Sequence, residues 1–358
     1  MHMSDGIVDA PTSLIFAGIA AVGLGLAGWR ARAELDERAA PMAGLVAAFI
    51  FAVQMVNFPI LPGVSGHLLG GALAAILVGP ALGALCVAVV LVVQALLFAD
   101  GGLTALGTNI TNMALIGVGV GYLVARAGTA LLRRRSDTGM GVVAFVAAFI
   151  GTLCAAMGFV VEYAIGGAAG STVGAVAGFM FVTHTLIGVG EGIITAITVV
   201  AVVSVRPDLV YVLRAAGPVS ATASPARVRL SFTGFLWVFA ATSVFVAGVL
   251  SYAASSQPDG LDATTRRGCS TVEVNGAEEL HGECIAQSAE EHRFVGSPLA
   301  DYAIDGNSDL AGPAGVVGVG AAFAVLLAVA RTIRIGRNGS RPAARTGDVA
   351  ARSDTERE

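Results

Sequence analysis

The sequence opens MHMSDGIV, and its first two residues bring three nitrogen donors together. The α-amine of Met1, the backbone amide of His2 and the His2 imidazole Nδ1 can all reach one metal ion. Amine and amide close a five-membered chelate ring, and amide and imidazole close a six-membered one. The amide must lose its proton to bind. Only strongly Lewis-acidic ions that favour planar coordination, such as Ni²⁺ and Cu²⁺, drive that loss well. Three nitrogens then share a plane with one corner open, and a tetragonal nitrogen site is diagnostic of Cu(II) or Ni(II). The aminopeptidase that removes initiator methionine acts only before small residues, and histidine is too large. The amine therefore stays at a fixed distance from the imidazole. Taken alone, a histidine at a terminus is usually just a solvated side chain.

His67 is the candidate for the fourth corner, because topology puts it on the same side as the amine. Its plainer reading is a cap or an interface residue at a helix end. His184 and Glu191 lie seven residues apart on one helix face. Ionisable residues at membrane depth are functional candidates by default; the other reading is a buried polar contact that locks the bundle. Asn109 and Asn112 begin a span near the outer face. Asn109 is placed to orient a ligating imidazole, since a metal-bound histidine usually donates its other N–H to a partner. His281 and His292 lie in a late loop, where they could capture metal loosely or simply be solvated.

These residues need a membrane to hold them. Of 358 residues, 55% are hydrophobic and 13% charged, and the mean hydropathy is +0.79. That composition predicts a polytopic membrane protein. The 47 glycines suit close helix packing. The start is acidic, with no arginine before Arg30, which is unlike a cleavable secretory signal. It is expected to be a mature N-terminus. All 21 basic residues are arginine, and no phosphate-loop signature is present.

Apolar spans are expected at 14–29, 42–58, 68–79, 81–99, 105–125, 140–165, 176–205, 232–252 and 313–330. The third is short, and 67–99 could be one long helix. Breaking it at Gly79-Pro80 keeps Arg126, Arg133, Arg134 and Arg135 on the cytoplasmic side, and proline favours the break. The nine-span arrangement puts 18 of 21 arginines inside. The N-terminus and His67 are then outside and the C-terminus inside.

The expected fold is all-α, a polytopic membrane helix bundle with a seven-span core and a two-span C-terminal module. The core is 1–205, a cytoplasmic linker 206–230, the second module 231–335 and a disordered tail 336–358. The second module brackets an acidic loop from about 251 to 312 that holds Cys269 and Cys284. An outside loop is an oxidising setting in many bacteria, where this pair would bridge; two free thiols are the other reading. No internal repeat is evident.

Four stretches resemble one family. MHMSDGIV is similar to the MHIPDGF-type start of CbiM and NikM proteins. GVSGHLLGGALAAILVGPALGA is similar to their second motif and contains His67. DGGLTALGTNITNMALIG and HTLIGVGEG resemble two more. SSQPDGLD resembles the PDGL motif of CbiN and NikN, the small two-span companion. The chain thus resembles a fused CbiMN or NikMN protein, the substrate-binding component of an energy-coupling factor importer. The resemblance implies Ni²⁺ or Co²⁺ held by the Met1 amine, the His2 amide, the His2 imidazole and His67. It implies a coupling membrane protein of CbiQ or NikQ type and cytoplasmic ATPases of CbiO or NikO type. No catalytic residue, resident cofactor or nucleic acid is expected, and the setting is a bacterial inner membrane. Met3 stands where the family usually has isoleucine. Planar nitrogen coordination favours nickel. Two other classes remain on sequence grounds: a proton-coupled carrier working through Glu191 and Glu162, and a membrane enzyme using His184 with Glu191.

Overall fold

The computed structural model describes residues 1–35, 38–132, 136–215, 230–274 and 277–339. The described chain is a helical membrane bundle. Helix α1 (Ala10–Glu34) starts with Pro11 in its first turn, and the Asp9 carboxylate caps it by accepting from Thr12 N at 2.9 Å. Helix α2 (Ala39–Gln54) is buried along nearly its whole length. A short hairpin of β1 (Phe58–Leu61) and β2 (Val64–Gly66) leads to His67 and then to α3 (Gly71–Val78). Helix α4 (Pro80–Leu97) follows after a one-residue break at Gly79. Glycine is needed there, because φ is +94°. A Cβ on Gly83 would lie 3.1 Å from Ala74 C, so α3 and α4 fold back on each other. The run 67–99 is therefore two elements, divided at Gly79-Pro80.

The next helices are α5 (Leu106–Leu131), α6 (Asp137–Gly166) and α7 (Val173–Val205). Within α5, Ile110–Gly117 is wound as a π-helix. The second module contributes α8 (Phe232–Gly248) and, at its end, α10 (Ala311–Gly339). Among the described residues, six helices are long and apolar enough to cross a membrane: α1, α4, α5, α6, α7 and the stretch containing α10. Helices α2 and α8 are apolar but shorter, at 16 and 17 residues. The eight residues of α3 rise only ~12 Å, against a hydrocarbon core of about 30 Å. The expected third span is thus a partial one. The arginine clusters at 133–135, the linker at 216–229 and the tail from 340 lie outside the described residues. Helix α10 continues through Gly339, past the boundary expected at 336.

The second module packs on the core. A Cβ on Gly318 would meet the Phe51 ring of α2, and one on Gly44 would lie 2.9 Å from the Phe323 ring of α10. The loop between α8 and α10 is folded. It carries α9 (Gly260–Thr265) and the hairpin β3 (Cys269–Val274) with β4 (Ala277–Gly282). Cys269 and Cys284 are joined by a disulfide with Cα atoms 5.5 Å apart. The loop is tied to the core by its backbone. Ser255 N donates to Asn57 O, Ser65 N to Pro258 O, Glu290 N to Asp5 O and Asp301 N to Phe98 O, all at 2.8–2.9 Å.

Helices α3 and α5 cross backbone to backbone. A Cβ on Gly71 would lie 2.7 Å from Gly117 C, and one on Gly121 would lie 2.7 Å from Ala72 Cα. No flexible side chain is available to yield. Gly121→Leu should therefore cost about 1–3 kcal/mol as overpacking. The check is thermal unfolding of detergent-solubilised protein, in which Gly121→Leu should melt below the parent.

Candidate metal centre

The first nine residues form no helix; they are an extended segment held by polar contacts on all sides. Asn109 grips Met3 twice, accepting from Met3 N at 2.9 Å and donating from Nδ2 to Met3 O at 3.2 Å. Gly102 N also donates to Met3 O, at 2.8 Å. The Asp5 carboxylate accepts from Leu103 N (3.1 Å), Thr104 N (2.7 Å) and Thr104 Oγ1 (2.6 Å). Ala168 N donates to Ile7 O at 2.9 Å. Gly6 sits at φ +81°, where a Cβ would lie 2.1 Å from Ser288 O, so only glycine fits.

This tether draws the start of the chain into the bundle. Met1 is 3% exposed. Its amine bonds to His67 Nε2 and to the Asp259 carboxylate. The His2 and His67 rings are stacked with centroids 5.0 Å apart. The structure thus brings together Met1, His2 and His67.

The tautomer of each imidazole follows from its partner. His67 Nδ1 faces Leu68 O at 3.1 Å, and a carbonyl only accepts. Nδ1 therefore carries the proton, and the Nε2 lone pair points at the amine. His2 Nε2 lies 3.1 Å from Gln94 Oε1, and it must donate. The Gln94 orientation is set in turn. Gln94 Nε2 donates to Tyr302 OH at 3.1 Å, and Tyr302 OH donates to Asp100 Oδ2 at 2.5 Å. Asp100 Oδ1 stands 3.5 Å from His2 Nδ1, too far for a good hydrogen bond. The His2 Nδ1 lone pair is left available, on the nitrogen a terminal chelate requires. Burial lowers the His2 pKa to about 4, which Asp100 opposes and the nearby ammonium reinforces. The imidazole is held neutral, the form that ligates.

Asp259 was not foreseen from sequence. Its Oδ1 caps α9, accepting from Leu261 N at 2.9 Å and Asp262 N at 2.8 Å. Its Oδ2 takes the amine and approaches His67 Nε2 at 3.2 Å. Burial works against its charge, yet the Met1 ammonium beside it outweighs burial and keeps the carboxyl well below its usual range. Among the described residues, no three His, Cys, Asp or Glu side chains are grouped to hold a metal by themselves.

The remaining candidates fall around this cluster. Glu191 lies behind His67: its Oε2 accepts from Leu69 N at 3.1 Å and Thr152 Oγ1 at 2.6 Å, and its Oε1 accepts from Gly70 N at 3.0 Å. It fixes the backbone that follows His67. His184 Nδ1 faces Met180 O at 2.9 Å, and its ring lies against Gly260. Among the described residues, Glu191 and His184 share no hydrogen bond, so an acid–base pair is not assembled. Asn109 orients the Met3 backbone rather than an imidazole, and Gln94 takes that part. Asn112 Nδ2 donates to Glu162 Oε2 at 2.8 Å. His292 Nδ1 accepts from Phe294 N at 3.0 Å within the loop.

Comparison with known proteins supplies the family. The CbiM family profile, described as the cobalt uptake substrate-specific transmembrane region, matches residues 2–209. The PDGLE domain profile matches residues 233–335. A protein of Archaeoglobus fulgidus that bears the name of a fused nickel transport protein, NikMN, is 34% identical over 93% of this chain and 99% of its own length. The cobalt transport protein CbiM of Geobacter sulfurreducens is 33% identical over 74% of this chain and 76% of its own. A crystal structure of a transition metal transporter superposes with a TM-score of 0.50 at 26% identity, covering 56% of this chain and 92% of that one.

Glu191 generates a test. Glu191→Ala strands two backbone donors, Leu69 N and Gly70 N, while the Thr152 hydroxyl can turn to Ala148 O at 2.9 Å, and a stranded buried donor costs about 1–3 kcal/mol. Glu191→Gln keeps one acceptor oxygen and should fall between. Melting temperatures in detergent should rank parent, Glu191→Gln, Glu191→Ala from high to low, with His184→Ala nearer the parent.

Proposed function

Because the chain belongs to the CbiM family and carries a PDGLE domain behind that region, we propose that it captures Ni²⁺, in preference to Co²⁺, for an ATP-driven importer. The ligands in this reading are the Met1 amine, the His2 amide, His2 Nδ1 and His67 Nε2. The observation that carries it is the buried Met1 amine bonded to His67 Nε2, with the proton of each imidazole held on the other ring nitrogen, by Leu68 O for His67 and by Gln94 Oε1 for His2. Amine, amide and Nδ1 belong to two successive residues, so their chelate rings form without moving the fold. His67 supplies the fourth nitrogen from another element. Four nitrogens in one plane suit Ni²⁺ better than Co²⁺. Copper would bind more tightly still, so selection in the cell rests on which ion is available.

The chain has no phosphate-loop signature, and hydrolysis falls to separate ATPases of CbiO or NikO type. They act through a coupling membrane protein of CbiQ or NikQ type. Arginine distribution supports an outside N-terminus and inside C-terminus in a bacterial inner membrane. The core of 1–205 holds the nitrogen ligands, 206–230 links it to the second module of 231–335, and the tail from 336 is cytoplasmic.

The amine is the sharpest point of attack. One residue added before Met1 should abolish high-affinity Ni²⁺ binding in a calorimetric titration of folded protein. Unchanged affinity in that extended variant would sink the four-nitrogen assignment. His67→Ala should weaken binding at least ~100-fold, beyond what removal of a residue behind a ligand costs. His184→Ala should weaken it much less. Radiolabelled nickel uptake in cells lacking their own importers should require the coupling protein and the ATPases together. Accumulation by this chain alone would favour a secondary carrier.

A further inference from the structure

Two side chains of the second module reach the cluster that the first module builds. Asp259 arrives on the loop that docks against β2, where Ser65 N and Ser65 Oγ bind Pro258 O at 2.8 Å and Gln257 O at 2.6 Å. Because Oδ1 is used in capping α9, only Oδ2 faces the amine and His67. Gly260 follows, where a Cβ would lie 2.8 Å from Ile187 Cδ1, so the loop sits down fully. Tyr302 arrives from the far end of the same loop. Its ring stacks on Phe98 with centroids 4.9 Å apart and planes 21° apart. Its hydroxyl joins Gln94 to Asp100, and Gln94 in turn holds His2.

The backbone at this second contact is strained on both sides. Ala99 (φ 53°), Asp301 (φ 52°) and Tyr302 (φ 56°) all occupy the left-handed region without being glycine. Such residues persist only where their surroundings over-determine them, and they cluster at functional sites. Here the strain places the Tyr302 hydroxyl between Gln94 and Asp100, and Asp301 N is held on Phe98 O at 2.9 Å.

We propose that the second module is a working part of the metal centre: Asp259 balances the charge of the bound cation, and Tyr302 positions Gln94 and, through it, His2. This rests on the four-nitrogen reading. A divalent ion with one deprotonated amide and three neutral nitrogens carries one net positive charge. Burying that charge uncompensated is costly. Asp259 cancels it from a fixed position, and its Oδ2 accepts an N–H of the metal-bound amine. Tyr302 acts at a distance. Its hydroxyl must donate to Asp100, so it can only accept from Gln94. Gln94 then presents its oxygen to His2 Nε2, which leaves Nδ1 for the metal. Without the hydroxyl, Gln94 is free to turn over and the His2 tautomer is no longer fixed.

The test uses the full chain in detergent, titrated with Ni²⁺ alone. Asp259→Asn keeps the shape and loses the charge, and should weaken binding 10- to 100-fold. Asp259→Glu, which restores the charge, should recover part of that loss. Tyr302→Phe keeps the stacking and loses the hydroxyl, and should weaken binding about tenfold while leaving the melting temperature near the parent's. In a Gln94→Ala background, Tyr302→Phe should cost nothing more, because the two act in one route. A Tyr302→Phe shift in the ¹⁵N signature of the His2 imidazole is expected, which a purely structural role would not give. Parental affinity in Asp259→Asn and Tyr302→Phe, with His2→Ala and His67→Ala abolishing binding, would overturn the proposal and leave the four-nitrogen site standing. Additive losses for Gln94 and Tyr302 would overturn the positioning route. Parental affinity in His2→Ala and His67→Ala would instead remove the reading beneath it.

Discussion

The contact between the Met1 amine and His67 Nε2 is the constraint on which the rest of the architecture depends. An N-terminal amine is ordinarily the most mobile and best solvated group of a chain. Sinking it into a helix bundle costs solvation and chain entropy. The cost is met locally by Asn109 on Met3, Asp5 on the 103–105 backbone and Ile7 on Ala168. These contacts fix register as well as position. A slip of one residue would put a side chain where the amine belongs, and no other group there could replace it.

His67 needs the opposite arrangement, a residue delivered deep into the bundle from the middle of the chain. A continuous helix through 67–78 would satisfy its own backbone and leave no reason for a sharp approach. Instead, a hairpin and a short helix are used, and α3 rises only ~12 Å. Irregular backbone buried in a bundle must have its polar groups satisfied by protein. Glu191 does so for Leu69 and Gly70, and on the other side Ser65 donates to the second module's loop while Asn57 O accepts from it. The partial helix and the buried glutamate are thus two halves of one solution to positioning His67.

Much of this was legible in the sequence, for definite reasons. Composition announces the bundle, and Gly79-Pro80 announces the break because proline cannot continue a helix. His2 is legible because a terminal chelate depends on residue order alone. Glu191 stood out as an ionisable residue in an apolar run, although its partners are backbone amides far away in sequence. Asp259 was read only as part of a motif, since its contact with the amine joins residues 258 positions apart. Gln94 did leave a signal: it is the single amide in an otherwise apolar α4. Tyr302 left none, because its importance comes from a left-handed backbone and a stacking partner that only the folded loop creates.

The direction of the hydrogen bonds gives the site its chemical polarity. Each chain of bonds ends on a group that cannot donate: the Leu68 carbonyl for His67, and the Asp100 carboxylate for the route through Tyr302 and Gln94 to His2. Every proton is thereby pushed outward along its chain, and both lone pairs are left facing inward. A site built only from convergent side chains would need three or four such ligands in one place, and the described residues offer no such group. In the proposed arrangement two imidazoles suffice, with the Met1 amine and the His2 amide as the other nitrogens. Such economy has a structural consequence: the residues that fix the two imidazoles matter nearly as much as the imidazoles. That places weight on Gln94, Glu191 and Tyr302, which never touch the metal in this arrangement.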